Sequence, residues 1–177
     1  MDRLTANGPL EGILPVALEG ALLSPLAPAP LSELRGPADD LSEALGVPAV
    51  PEPGWVADYG DWRLLWLRPD GWLLIGQYEF EILQRVDAPF RLTDIGHALT
   101  GIRLTGPNAR VLLAKGTPLD LRPHRFAIGQ CAQTWCAGFR ILIEARDDGF
   151  DVYVDAALAL AFWHWIRDAA AEFERPT

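Results

Sequence analysis

The sequence predicts an α+β fold, two β/α halves with antiparallel sheets. Two turn signals between apolar runs, Pro69-Asp70-Gly71 and Asp147-Asp148-Gly149, each read as a hairpin. The elements follow as strand-strand-helix-strand, then strand-helix-strand-strand-strand-helix, which suggests two related halves in one domain. At 177 residues, a single domain with a sizeable core is the expectation.

The first 53 residues are read separately. They hold nine of the 15 prolines yet carry Leu10, Ile13, Leu14, Leu22, Leu23 and Leu26. Frequent proline forbids long helices and central strands, while disordered tails lack such leucines. The segment therefore predicts an extended arm, residues 1–53, lying in grooves of its own domain or of another subunit, with 54–177 as the α+β domain. One helix is expected within it, Ala38–Leu45, which follows Pro37, carries Asp39 and Asp40 in its first turn and stops at Gly46.

From Trp55 the texture changes. Trp62–Arg68 and Trp72–Gly76 read as paired strands. Phe80, Leu83 and Val86 make Glu79–Val86 a short amphipathic helix, and Phe90–Ile95 and His97–Thr105 return to strand character. Pro107 opens a helix that runs to Ala114. Gln130–Cys136, Arg140–Ala145 and Phe150–Val154 read as strands, and a final helix covers Ala156–Phe173.

Composition excludes several function classes. With 15 Lys+Arg against 24 Asp+Glu the chain carries a net charge of -9, and Lys115 is its only lysine. Such a surface repels phosphate backbones and anionic lipid, so neither nucleic acid nor membrane is expected as a partner. The longest apolar tract, Leu10–Leu31, is broken by two glutamates and four prolines and cannot form a spanning helix. Two cysteines are too few for a disulfide scaffold, and Met1-Asp2-Arg3 lacks the basic flank of a secretory signal, which points to the cytoplasm.

Catalytic constellations are not visible. Cys131 and Cys136 lie five apart in a predicted strand, an odd separation that sends them to opposite faces, and His97, His124 and His164 have no zinc-ligand spacing. Ser24, Ser32 and Ser42 all fall in the arm, outside any Gly-x-Ser-x-Gly elbow. Thr134 and Asp94 are conceivable companions of His97, though a structural histidine is the better reading. Dinucleotide and phosphate loops are missing as well. The expectation is no catalytic, cofactor-binding or metal-ligating residue in this chain.

The last helix carries more apolar surface than one packing face needs. Leu158, Phe162, Trp165, Ile166 and Ala169 form one stripe, and Leu160, Trp163 and Ala170 part of another. Seven tryptophans and a leucine-rich segment, without a catalytic constellation, predict a protein that works by binding another protein. The expected partner-facing residues are Leu160, Trp163, Trp165, Leu22, Leu23 and Leu26.

Several separated motifs carry a resemblance. They are Gly106–Leu121, then Phe126 and Gly129, then Ala132-Gln133-Thr134, and Phe162-Trp163-His164-Trp165-Ile166, with Pro69–Leu74 and Thr93-Asp94-Ile95 in support. In this order, from about Trp62 to Ile166, the sequence resembles the gamma subunits of heterotetrameric sarcosine oxidases. The chain departs from the family pattern at Asp155-Ala156, where Arg-Ser is usual, and at Gly96, where serine is usual; the resemblance leaves open which N-methyl amine is oxidised.

The resemblance implies a fold similar to the folate-binding domain of aminomethyltransferases. It implies a non-catalytic subunit, in sarcosine catabolism, whose alpha, beta and delta partner subunits hold NAD, tetrahydrofolate, FAD, FMN and zinc, and which binds none of these itself. A second reading, a free-standing folate- or pterin-binding protein, needs an acidic residue in a central apolar cleft, for which Asp94 and Asp120 are the candidates.

Overall fold

The computed structural model describes residues 8–77 and 89–171. It contains eleven strands among these residues: β1 Val16–Leu18, β2 Ala21–Pro25, β3 Leu31–Arg35, β4 Val56–Asp58, β5 Trp62–Arg68, β6 Gly71–Gly76, β7 Arg91–Asp94, β8 Leu99–Thr105, β9 Cys131–Cys136, β10 Phe139–Arg146 and β11 Gly149–Asp155. Three α-helices join them: α1 Ala38–Leu45, α2 Ala109–Ala114 and α3 Ala159–Ala170.

All described strand pairs are antiparallel. They form a six-stranded sheet in the order β1-β2-β8-β11-β10-β9 and a five-stranded sheet in the order β4-β5-β6-β3-β7. The two-sheet α+β architecture expected from the sequence is therefore present. Residue alternation sorts the side chains into layers, because neighbours in a strand face opposite sides. On β11, Phe150, Val152 and Val154 join α2 and α3 in one core, while Tyr153 points into the cluster between the sheets. On β6, Trp72 and Leu74 meet Leu41 and Leu45 of α1, while Leu73 and Ile75 face the other sheet. The result is helix, sheet, sheet, helix, with three apolar seams.

The Pro/Leu-rich segment folds back onto its own domain. β2 pairs with β8 through Leu22↔Thr105 to Pro25↔Ile102, and β3 lies between β6 and β7. Leu23 and Leu34 are wholly buried. An extended arm that ends at residue 53 is thus corrected for residues 16–35: the five-stranded sheet is not continuous without β3. The prolines fit because of where they fall. β1 pairs only with residues 21–23 of β2, so Pro25 sits where the sheet has no further strand and its missing amide costs little. Pro28 and Pro30 lie between strands.

Helix α1 spans the expected residues. Gly46 ends it at φ 67, and its amide donates to Glu43 O at 3.1 Å. The final helix begins later than expected. Asp155 Oδ1 accepts from Ala157 N at 2.9 Å, holding residues 156–158 in a 3₁₀ turn before α3. The helix expected at Glu79–Val86 lies outside the described residues, as does the chain after 171. Gly76, at φ 113, is required where β6 crosses the start of β5, since a Cβ there would meet Trp62 Cα at 2.9 Å.

Candidate functional site

A cluster of ionised side chains lies between the two sheets, where the apolar packing elsewhere gives no reason for charge. Arg63 of β5, Arg103 of β8, Glu144 of β10, and Asp151 and Tyr153 of β11 all occupy positions that alternation aims at the opposing sheet. Asp151 is 0% and Glu144 1% exposed. The Arg103 guanidinium grips Asp151 with Nε to Oδ1 at 2.7 Å and Nη2 to Oδ2 at 2.8 Å, a bidentate pair. Across the sheets, Arg63 Nη2 donates to Tyr153 OH at 2.6 Å and to Asp151 Oδ2 at 3.3 Å. Glu144 accepts from Arg146 Nη1 at 2.7 Å and stands 3.3 Å from Arg63 Nη2.

Removing charges from water costs several kcal/mol per ion, which good geometry only offsets. The site carries the marks of that cost. Burial pushes the Glu144 carboxyl above its ordinary range against the pull of Arg63 and Arg146. Burial raises the Tyr153 phenol as well, so it stays neutral and keeps its proton. Hydrogen bonding to Asp151 raises Arg103 further. Arg63 Nε and Glu144 Oε2 are buried with no hydrogen-bond partner.

Most of this cluster, all but Glu144, lies on the floor of a cleft of about 1180 Å³. Leu26, Leu31, Ile75, Leu99 and Trp62 supply apolar walls, and Arg63, Arg103, Asp151 and Tyr153 the polar floor. An apolar cavity with a few convergent polar groups is the usual form of a binding site. None of its floor residues was singled out from the sequence. A signal was there: strands β5, β8, β10 and β11 each carry ionised residues embedded in an otherwise apolar run, as in Ile141-Leu142-Ile143-Glu144-Ala145 and Phe150-Asp151-Val152-Tyr153-Val154.

The residues expected to face a partner separate into two groups. Trp163 is 2% exposed and packs in the core beneath α3, and Leu23 is 0% exposed, so both are corrected to core residues of this chain. The physical reason for Trp163 is that the packing stripe of α3 runs Ala159, Phe162, Trp163, Ile166, Ala170, using small alanines at its ends. For Leu23, strand alternation turns it inward and its neighbour Leu22 outward. Leu160 and Leu22 are exposed, at 46% and 43%. Trp165 is half-buried, stacked on Phe162 at 5.8 Å, and Leu26 is half-buried on the cleft wall.

The candidate acidic residues lie elsewhere. Asp94 Oδ1 accepts from Gly96 N at 2.8 Å. Asp120 is engaged by Arg122 at 2.5 Å, whose hydrogen bonds hold its carboxyl well below the usual range. Neither lines the cleft, and Thr134 bonds Thr117 at 3.2 Å rather than His97. Among the described residues no group of three or more His, Cys, Asp or Glu could hold a metal ion. No described helix is long and apolar enough to cross a membrane.

Cys131 and Cys136 do point to opposite faces, the first into the seam between the sheets and the second into the core under the helices. Burial pushes both thiols up to about 12. Since thiolate is the reactive form, about one thiol in 10⁴ is ionised at pH 8, and neither should react with a thiol reagent at that pH until the chain unfolds. Stability linked to these thiols is full below the ordinary thiol range and falls as pH rises from about 9 towards 12, where the unfolded chain ionises first. Rapid labelling of the native chain at pH 8, followed by absorbance, would contradict this burial.

Comparison with known proteins brings one family forward. The family described as sarcosine oxidase, gamma subunit, matches residues 38–172. The sarcosine oxidase subunit gamma of Corynebacterium sp. (strain U-96) is 28% identical over 140 residues, 75% of this chain and 68% of that protein. The subunit gamma of Arthrobacter sp. is 28% identical over 144 residues, 77% of this chain and 71% of that one. Among solved structures, a chain of the heterotetrameric sarcosine oxidase from Corynebacterium sp. U-96, in complex with pyrrole 2-carboxylate, superposes with a TM-score of 0.84 at 25% identity, over 97% of this chain and 98% of that chain. The glycine cleavage system aminomethyltransferase T from Bartonella henselae superposes with a TM-score of 0.62 at 17% identity, over 83% of this chain and 45% of that one, a likeness of fold alone.

Proposed function

The chain belongs to the sarcosine oxidase gamma subunit family, and on that premise we propose that it is a non-catalytic subunit of a heterotetrameric, flavin-dependent sarcosine oxidase-like complex. The observation that carries this reading is the likeness in both directions, 97% of this chain over 98% of a chain in such a heterotetramer. On this reading it contributes to an oxidoreductase acting on the CH–NH bond of N-methyl amino acids. Partner subunits, alpha, beta and delta, supply FAD and FMN for amine oxidation, NAD, tetrahydrofolate to accept the one-carbon unit, and zinc. This chain supplies a folded surface, on which the exposed Leu22 and Leu160, beside the half-buried Trp165, offer apolar contacts. It works away from the membrane, in the cytoplasm.

The reading as a free-standing pterin-binding protein loses ground on one point. Its two candidate acids lie outside the cleft, and the buried carboxylate on the cleft floor, Asp151, has both oxygens engaged by Arg63 and Arg103.

The test is purification of the native assembly through a tag on this chain, with the co-purifying subunits identified by mass spectrometry and the absorbance spectrum recorded. Larger subunits with flavin sequence motifs and a flavin spectrum are the expected result. Recovery of the colourless chain alone, under conditions that preserve weak complexes, would reject the assignment.

A further inference from the structure

The cleft between the sheets has a donor-only floor. Both oxygens of Asp151 are engaged by arginine, and Tyr153 OH accepts from Arg63, which leaves the phenolic proton to donate. Each guanidinium spends only part of its fork there. Nη1 of Arg63 and Nη1 of Arg103 have no acceptor among the described residues, and neither is among the buried unpartnered atoms, so both stay reachable. Three arginines, Arg63, Arg103 and Arg146, against Asp151 and Glu144 leave the network one positive charge in excess, inside a chain of net charge -9. Asp58 and Asp61 stand at the exposed edge, where water screens them.

From this arrangement we propose that the cleft is a binding site for a small organic carboxylate with an apolar body. The carboxylate accepts from Nη1 of Arg103 and Arg63, and the body lies along Leu26, Leu31, Ile75, Leu99 and Trp62. A donor-only floor rejects cations and neutral donors, since neither could satisfy the guanidinium protons, and a charge-assisted pair is the stronger form of such a bond. The apolar walls supply area without direction, and the cleft volume of about 1180 Å³ takes a body of several rings or a branched chain. The charged cluster then has a use beyond joining the sheets, which explains why it stands where apolar residues would pack at least as well. This site is a property of the chain itself and does not rest on its place in the larger complex.

The probe is 2-naphthoate, with the neutral 2-naphthamide as its isosteric control, titrated into the full chain by calorimetry and by quenching of tryptophan fluorescence. Saturable binding of one naphthoate, with the amide at least tenfold weaker, is the expected result. Arg103→Gln should abolish the preference for acid over amide, and Leu26→Phe, which fills the wall and leaves the ion pairs intact, should weaken both ligands at least tenfold. If Arg103→Gln fails to fold, the acid and amide pair on the wild-type chain together with Leu26→Phe still decides. Equal binding of acid and amide, naphthoate binding unchanged by Leu26→Phe, or no saturable binding at millimolar probe would overturn the proposal. So would binding to the lone chain that disappears in the assembled complex, because the cleft is then a seat for a partner segment and not for a small molecule.

Discussion

Replacing Trp163 by alanine is expected to destabilise the chain by about 3–5 kcal/mol when it is studied alone, because the substitution removes a large indole from the core beneath α3 and leaves a cavity that the sheet cannot close. Denaturant unfolding followed by far-UV circular dichroism measures this as a lower midpoint at unchanged slope. Leu160→Ala serves as the control. That side chain is 46% exposed, and its loss should shift stability by less than about 0.5 kcal/mol. An unchanged midpoint for the Trp163 variant would return this residue to a partner interface.

The second large effect concerns Asp151. Asp151→Asn keeps the shape of the side chain but removes the negative charge and turns one acceptor into a donor, which then faces two guanidinium groups. Breaking one partner out of a buried charged network costs about 3–5 kcal/mol. Because the aspartate is wholly buried, added salt should leave the loss nearly unchanged, unlike the loss of a surface pair. The same unfolding experiment at low and high ionic strength reads both parts. A loss below about 1 kcal/mol, or one that salt erases, would mean that the network is solvated and adds little to the join between the two sheets.

The strands legible in the sequence are those whose ends are marked by turn residues. Pro69-Asp70 and Asp147-Asp148 both close hairpins at the expected places, and α1 is framed by Pro37 and Gly46. What stayed hidden were strands whose assignment depends on partners far along the chain. β3 is five residues between prolines and a glycine, with little to distinguish it locally. It becomes a central strand only because β6 and β7, about forty and sixty residues later, supply edges on both sides. β2 is similar, with Pro25 harmless only because β1 stops short of it. Local propensity reports what a residue disfavours, and the sheet decides whether that disfavour is ever tested.

The site was legible to a smaller degree. Periodicity placed apolar stripes on α3 but set Trp163 and Ala170 on a second stripe, apart from Phe162 and Ile166, with which they share the packing face. The charged cluster escaped notice because no one strand carries all of it. Arg63, Arg103, Glu144 and Asp151 are separated by up to 88 residues in sequence, and only the facing of two sheets brings them within hydrogen-bonding distance. The family resemblance, by contrast, rested mainly on motifs from Gly106 onward, where the chain runs as α2, then β9, β10 and β11 of one sheet, then α3.

At the centre stands the proposal that the chain folds by its own core and acts by joining redox-active companions. The measurement that bears on it most directly is sarcosine-dependent oxygen uptake, compared between the purified chain alone and the assembly recovered through it. Turnover by the assembly and none by the chain alone is the expected outcome, whereas amine oxidation by the chain alone, or an assembly inert towards every N-methyl amino acid offered, would contradict it.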